Sequence, residues 1–168
     1  GDTIWHVSPS RIVYSKNHLD VDGFRVSHGE QFIAVDGTAT TDHADSLAIS
    51  LNDVNVSYVL NLVNFHSVDF FGKASGKAFV AGAFSKQPKM AANLEVKDFM
   101  FETGHMGTLF ADVAYDDEQG RINIDAVAKD GADRNTVING YVSPRHNFID
   151  LAIDAQNTRA EFMEGFCD

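Results

Sequence analysis

The sequence predicts an all-β fold, on three observations. Apolar and polar residues alternate with period two in many separate runs. Short clusters rich in Gly and Asp punctuate those runs, and one strand plan recurs along the chain. Successive side chains of a strand point to opposite faces, so each alternating run can bury one face and leave the other in water.

The runs follow in chain order. Leu47, Ile49 and Leu51 alternate with Ala48 and Ser50, and Leu94 and Val96 with Glu95 and Lys97. Leu109, Ala111, Val113 and Tyr115 form the next, then Ile122, Ile124 and Ala126, then Ile149, Leu151 and Ile153. Turns are expected at "DG" (22–23), "HG" (28–29), "DDEQG" (116–120) and "KDGAD" (129–133), where Asp and Gly favour turn geometry. Two short helical turns are the most the pattern allows, at "SYVLNLV" (57–63) and "RAEFMEGF" (159–166).

The recurring plan is clearest in two passages. "VDGTATTDHADSLAISLNDVNVSYV" starts at Val35, and "INGYVSPRHNFIDLAIDAQNTRAEFM" starts at Ile138. Each has a Gly-bearing strand, a polar turn, a strand containing "LAI", and an aromatic (Tyr58 or Phe162) eleven residues after the Leu. A third copy runs from Val80 and Gly82 through "SKQPK" to "NLEVKDFMF". The plan, together with a start inside strand-like sequence ("TIWHV"), predicts one segment, residues 1–168, of a longer repetitive β-domain.

Within the third copy, "GKASGKA" (72–78) imitates a phosphate-binding loop. That loop needs four residues between its first Gly and the Gly-Lys pair, then a Ser or Thr for magnesium. Here three residues intervene and Ala78 follows Lys77. Gly72, Gly76 and Gly82 are instead expected in a strand–turn–strand passage, as bulges or points of close backbone approach.

Composition narrows the function classes. The chain is 44% hydrophobic and 22% charged, enough for a core and too apolar for disorder. A net charge of −11 excludes nucleic acid as a partner, because counterion release needs clustered Lys and Arg. Cys167 is the single cysteine, so no internal disulfide forms. The seven histidines are scattered without chelate spacing, and "DVDG" (20–23) and "DDEQG" lack the spaced ligands of a calcium loop. No metal or other cofactor is expected. Ser75 and Cys167 have no nucleophile context, so no catalytic residue is nominated and the chain is read as a non-enzyme.

The apolar stripes carry two readings. Two sheets could bury them in a closed β-sandwich serving a stand-alone binding or adhesion domain. Alternatively, one curved sheet could present them as a groove that covers a lipid chain.

Residues 30–166 resemble the TamB family and its AsmA-like relatives. The likeness lies in the order of a Gly-bearing strand, a Pro-containing turn (Pro88, Pro144), a strand such as "NLEV" or "DLAI", then "DF" or "NT" and a return strand. The resemblance implies an elongated, folded-over sheet with an apolar interior, a β-taco. It implies a periplasmic segment of an inner-membrane-anchored envelope protein, whose full-length chain meets an Omp85-type outer-membrane barrel. It further implies translocation and assembly work: the groove would conduct phospholipid acyl chains, or nascent outer-membrane protein strands, across the periplasm. In such a sheet, Leu47, Ile49, Leu51, Leu94, Val96, Leu109, Val113, Ile122, Ile124, Ile149, Leu151 and Ile153 would line the groove.

Overall fold

A computed structural model describes residues 4–58, 70–102, 104–146 and 148–157. Eleven strands form one antiparallel sheet. They are β1 (His6–Val7), β2 (Arg11–Ser15), β3 (His18–His28), β4 (Gln31–Ala39), β5 (Ser46–Asn55), β6 (Phe70–Ala81), β7 (Lys89–Phe101), β8 (Gly104–Asp116), β9 (Arg121–Asp130), β10 (Arg134–Ser143) and β11 (Phe148–Asn157). From β3 to β11 each strand pairs with the next in sequence, a plain meander. β1 and β2 both pair with β3, at Val26–Ser27 and at His18–Asp22, and so share one edge.

The sheet is single, open and curled, and among the described residues no second sheet covers it. The predicted all-β, folded-over architecture therefore holds and the closed sandwich does not. A helical turn opens at 56–58, and the rest of the predicted turns at 57–63 and 159–166 lies outside the described residues. The turns expected at 28–29, 116–120 and 129–133 join β3 to β4, β8 to β9 and β9 to β10.

Two expectations need correction. "GKASGKA" is neither loop nor turn, because Gly72 and Gly76 sit within the continuous strand β6. Likewise "DG" at 22–23 does not end a strand but bulges β3, where pairing slips between Val21 and Phe24. The same slip recurs between Leu51 and Val54 in β5, and between Val96 and Phe99 in β7. Each bulge reads apolar-x-(Gly or Asp)-apolar: "VDGF", "LNDV" and "VKDF". In each, the third residue has positive φ: 71° at Gly23, 49° at Asp53 and 53° at Asp98. Glycine, and next to it Asp or Asn, tolerates that conformation. The polar residue opposite caps two of the bulges. Asp36 Oδ1 accepts from Gly23 N–H at 2.6 Å, and Ser75 Oγ accepts from Asp53 N–H at 3.0 Å.

Close backbone approach explains Gly140 in β10. Its φ is +152°, and a Cβ there would overlap the carbonyl oxygen of Asp150 on β11. Gly37 and Gly76 stand in the same relation to Ser46 and Asn93. Gly82 differs: it lies in the turn after β6, and its would-be Cβ meets only side-chain atoms of His43 and Ser85. Gly140→Val is thus expected to cost more than about 2 kcal/mol in urea unfolding, against ~0.5 kcal/mol for an ordinary surface change. Gly131→Ala, at positive φ in open space, should cost about 1 kcal/mol. Equal losses at the two sites would assign the effect to backbone angle alone.

Candidate functional site

Strand register sorts the side chains, since directly paired residues face the same side. One row crosses ten strands as Val7, Val26, Ile33, Leu51, Gly76, Leu94, Ala111, Ala126, Ile138 and Ile153. The row beside it runs Phe24, Val35, Ile49, Ala78, Ala92, Val113, Ile124, Gly140 and Leu151. To one side lie Leu47, Ile122 and Ile149; to the other lie Val54, Ala74, Val96, Leu109 and Ala128. All twelve residues expected in the groove occupy this one face.

The sheet curls around that face. Leu51 on β5 and Ile153 on β11, six strands apart, line a single cleft of about 190 Å³. Every lining side chain is apolar. Eight of the twelve expected residues take part: Leu51, Leu94, Val96, Leu109, Val113, Ile124, Leu151 and Ile153. Leu47, Ile49, Ile122 and Ile149 share the face but do not line the cleft. The buried cluster beneath it contains Ala74, Ala111, Ala126 and Ala128 beside Val96, Leu109 and Ile138. Curling crowds the concave side, and small side chains there let the strands close in without overpacking.

An aromatic wall closes one end. Phe70 stacks on Phe99 at 6.1 Å between centroids and tilts against Phe101 at 5.3 Å. These three, with Val56, Ala74, Ala111, Ala126, Ile138 and Val142, complete the lining and lie outside the twelve residues expected in the groove. Strict alternation would set Phe99 opposite Val96; the bulge at Asp98 returns it to the same face. The recurring "VDGF", "LNDV" and "VKDF" words were the signal that could have shown this.

The opposite face is polar in its middle. Asn93 donates to Asp112 across β7 and β8, and Asp112 stands opposite Asp125. The Asn139 amide, turned as its neighbours require, donates to Asp125 Oδ1 at 2.8 Å. A wider depression of about 660 Å³ on this side takes in Glu95, Asp112, Asp125 and Phe110. Among the described residues no group of three or more His, Cys, Asp or Glu is placed to hold a metal, and no helix is long and apolar enough to cross a membrane.

At the β3 edge, the Thr38 hydroxyl donates to Asp20 Oδ1 at 3.0 Å and the His18 imidazole lies 3.0 Å from Oδ2. These hydrogen bonds, Thr38 foremost, hold the Asp20 carboxyl below its ordinary value of 3.8. A carboxylate depressed in the folded state stabilises above its unfolded pKa, and that contribution disappears as pH falls through the lower folded value. Thr38→Val should raise the Asp20 pKa toward 3.8 in a carboxyl carbon NMR titration. An unmoved titration would show that the hydroxyl does not hold the charge.

Packing below the groove yields a second expectation. Ile138 is buried at 5% exposure, whereas Ile153 at the rim is 43% exposed. Ile138→Ala should cost roughly 2–3 kcal/mol in denaturant unfolding and Ile153→Ala under about 1 kcal/mol. Similar losses would mean that the rim packs as tightly as the floor.

No family model matches the chain, and neither do curated proteins or solved structures.

Proposed function

We propose that the chain is a non-enzymatic module whose curled sheet shelters acyl chains of phospholipids along its apolar face. The observation that carries this reading is the cleft lined by apolar side chains alone, on a face that stays apolar from β1 to β11. Exposing a methylene to water costs about 0.8 kcal/mol, so a lipid tail crossing an aqueous space needs continuous apolar cover. The cleft's volume of about 190 Å³ equals roughly six water-sized volumes of ~30 Å³ each. It therefore suits a stretch of a tail and not a whole lipid, as expected of a surface along which a chain slides. The resemblance to TamB adds the setting: a periplasmic segment of an inner-membrane-anchored protein, working with an Omp85-type barrel in envelope assembly.

Strand phase supplies the test. A photo-reactive amino acid at Val113 or Ile153 should crosslink to phospholipid when the protein is incubated with vesicles of phosphatidylethanolamine and phosphatidylglycerol. The same probe at Asp112 or Asp154, one residue away on the opposite face, should not. Equal labelling of both faces, or none on the apolar face of folded protein, would reject the groove.

A further inference from the structure

A second pocket, of about 340 Å³, opens on the polar face at the end of the sheet where β8 turns into β9 and β10 into β11. It is lined by Gln119, Arg121, Tyr141, Ser143, His146 and Phe148. No carboxylate lines it, although the chain carries 24 Asp and Glu against 13 Lys and Arg. Asp116, paired across the strands with Arg121, is directed to the turn's backbone and accepts from Gln119 N–H at 3.3 Å. By contrast, the depressions farther along this face are edged by Asp112 and Asp125.

The cation in this pocket is held ready and left uncommitted. The Arg121 guanidinium carbon lies 4.1 Å over the Tyr141 ring, which fixes the plane of the group and leaves its N–H edge for another ligand. Arg121 Nε is fully buried and meets no acceptor among the described residues. Neither Arg121 nor Arg145 forms an ion pair with another described residue. Arg145 adds charge beside the same turn, its guanidinium carbon 4.0 Å from where a Gly120 Cβ would stand. Phe148, 50% exposed and 6.1 Å from the Tyr141 ring, supplies an apolar wall.

We propose that this pocket binds the phosphate group of an organophosphate. End-on pairing through its two Nη groups suits Arg121 to a tetrahedral oxyanion with two free oxygens. His146 and the Ser143 hydroxyl share the lining and can meet the remaining oxygens, Phe148 can pack against the carbon portion, and Arg145 adds positive charge from beside the turn. A phosphate, with three or four oxygens, uses more of these donors than a carboxylate can. The site lies on the face opposite the acyl groove and does not rest on that reading, so the crosslinking result and this one answer separately.

The experiment follows the Arg121 Nε–Hε resonance of the whole chain by NMR at constant ionic strength. Glycerol phosphate should shift it saturably, and acetate should bind at least tenfold more weakly. Arg121→Met should weaken glycerol phosphate binding tenfold or more, read on backbone resonances of Ser143 and His146. The source of the phosphate separates in two further arms. Inorganic phosphate binding as tightly as glycerol phosphate would identify a free-phosphate site. Sedimentation with phosphatidylglycerol vesicles but not with phosphate-free glycolipid vesicles, lost in Arg121→Met, would identify a lipid headgroup site. Should Arg121→Met fail to fold, the exposed pair Arg145→Ala with His146→Ala should still weaken binding several-fold. No saturable shift, acetate binding as tightly as phosphate, or unchanged binding in a folded variant would overturn the proposal.

Discussion

Strand phase is the constraint on which the rest of this molecule depends. A slip of one residue in any pairing would move that strand's whole apolar set to the other face. Ten strands hold their phase well enough to keep Val7 in line with Ile153 across the full width of the sheet. The bulges at Gly23, Asp53 and Asp98 are consistent with that demand. Each sets two residues opposite one, so the apolar residues on either side both face inward, and the added local twist helps the strands coil.

Curling follows from phase together with side-chain size. Ala and Gly are interspersed among large residues along the inner rows, as in Leu51, Gly76, Leu94, Ala111 and Ala126. The glycines go further than the alanines, because at Gly76 and Gly140 even a methyl group would collide with the neighbouring backbone. A sheet that can bend inward there partly covers its own apolar face. Val56 and Leu151, from opposite flanks, both pack against the buried cluster. Such cover serves the purpose that a second sheet serves in a sandwich, but it leaves a cleft.

The two faces divide the chemistry between them. The inner one carries no polar side chain in its cleft, while the outer one spreads Asn93, Asp112, Asp125 and Asn139 across four strands and holds Arg121 in a pocket at one end. At the edges, Pro9 interrupts the run between β1 and β2, and Asp150 and Asp154 place charge along β11. Both features discourage unplanned pairing of exposed strands.

Much of this was determined by the sequence alone. Alternation in "SLAISL", "TLFADVAY", "RINIDA" and "FIDLAID" established strands and their inward residues, because period two is a local property of extended backbone. That is why all twelve expected groove residues fall on one face. Alternation could not show where the period breaks: at Asp98 a left-handed residue restores Phe99 to the groove, and "DG" reads the same in a bulge as in a turn. Nor could it decide which inward residues meet. Leu47 and Leu51 are equivalent as sequence, yet only Leu51 reaches the cleft, since the direction of curl is set by contacts between strands far apart in the chain. The Arg121 pocket is of the same kind. Its residues come from two turns and three strands, and nothing local to any one of them marks it, because only the assembled sheet brings their side chains to one place.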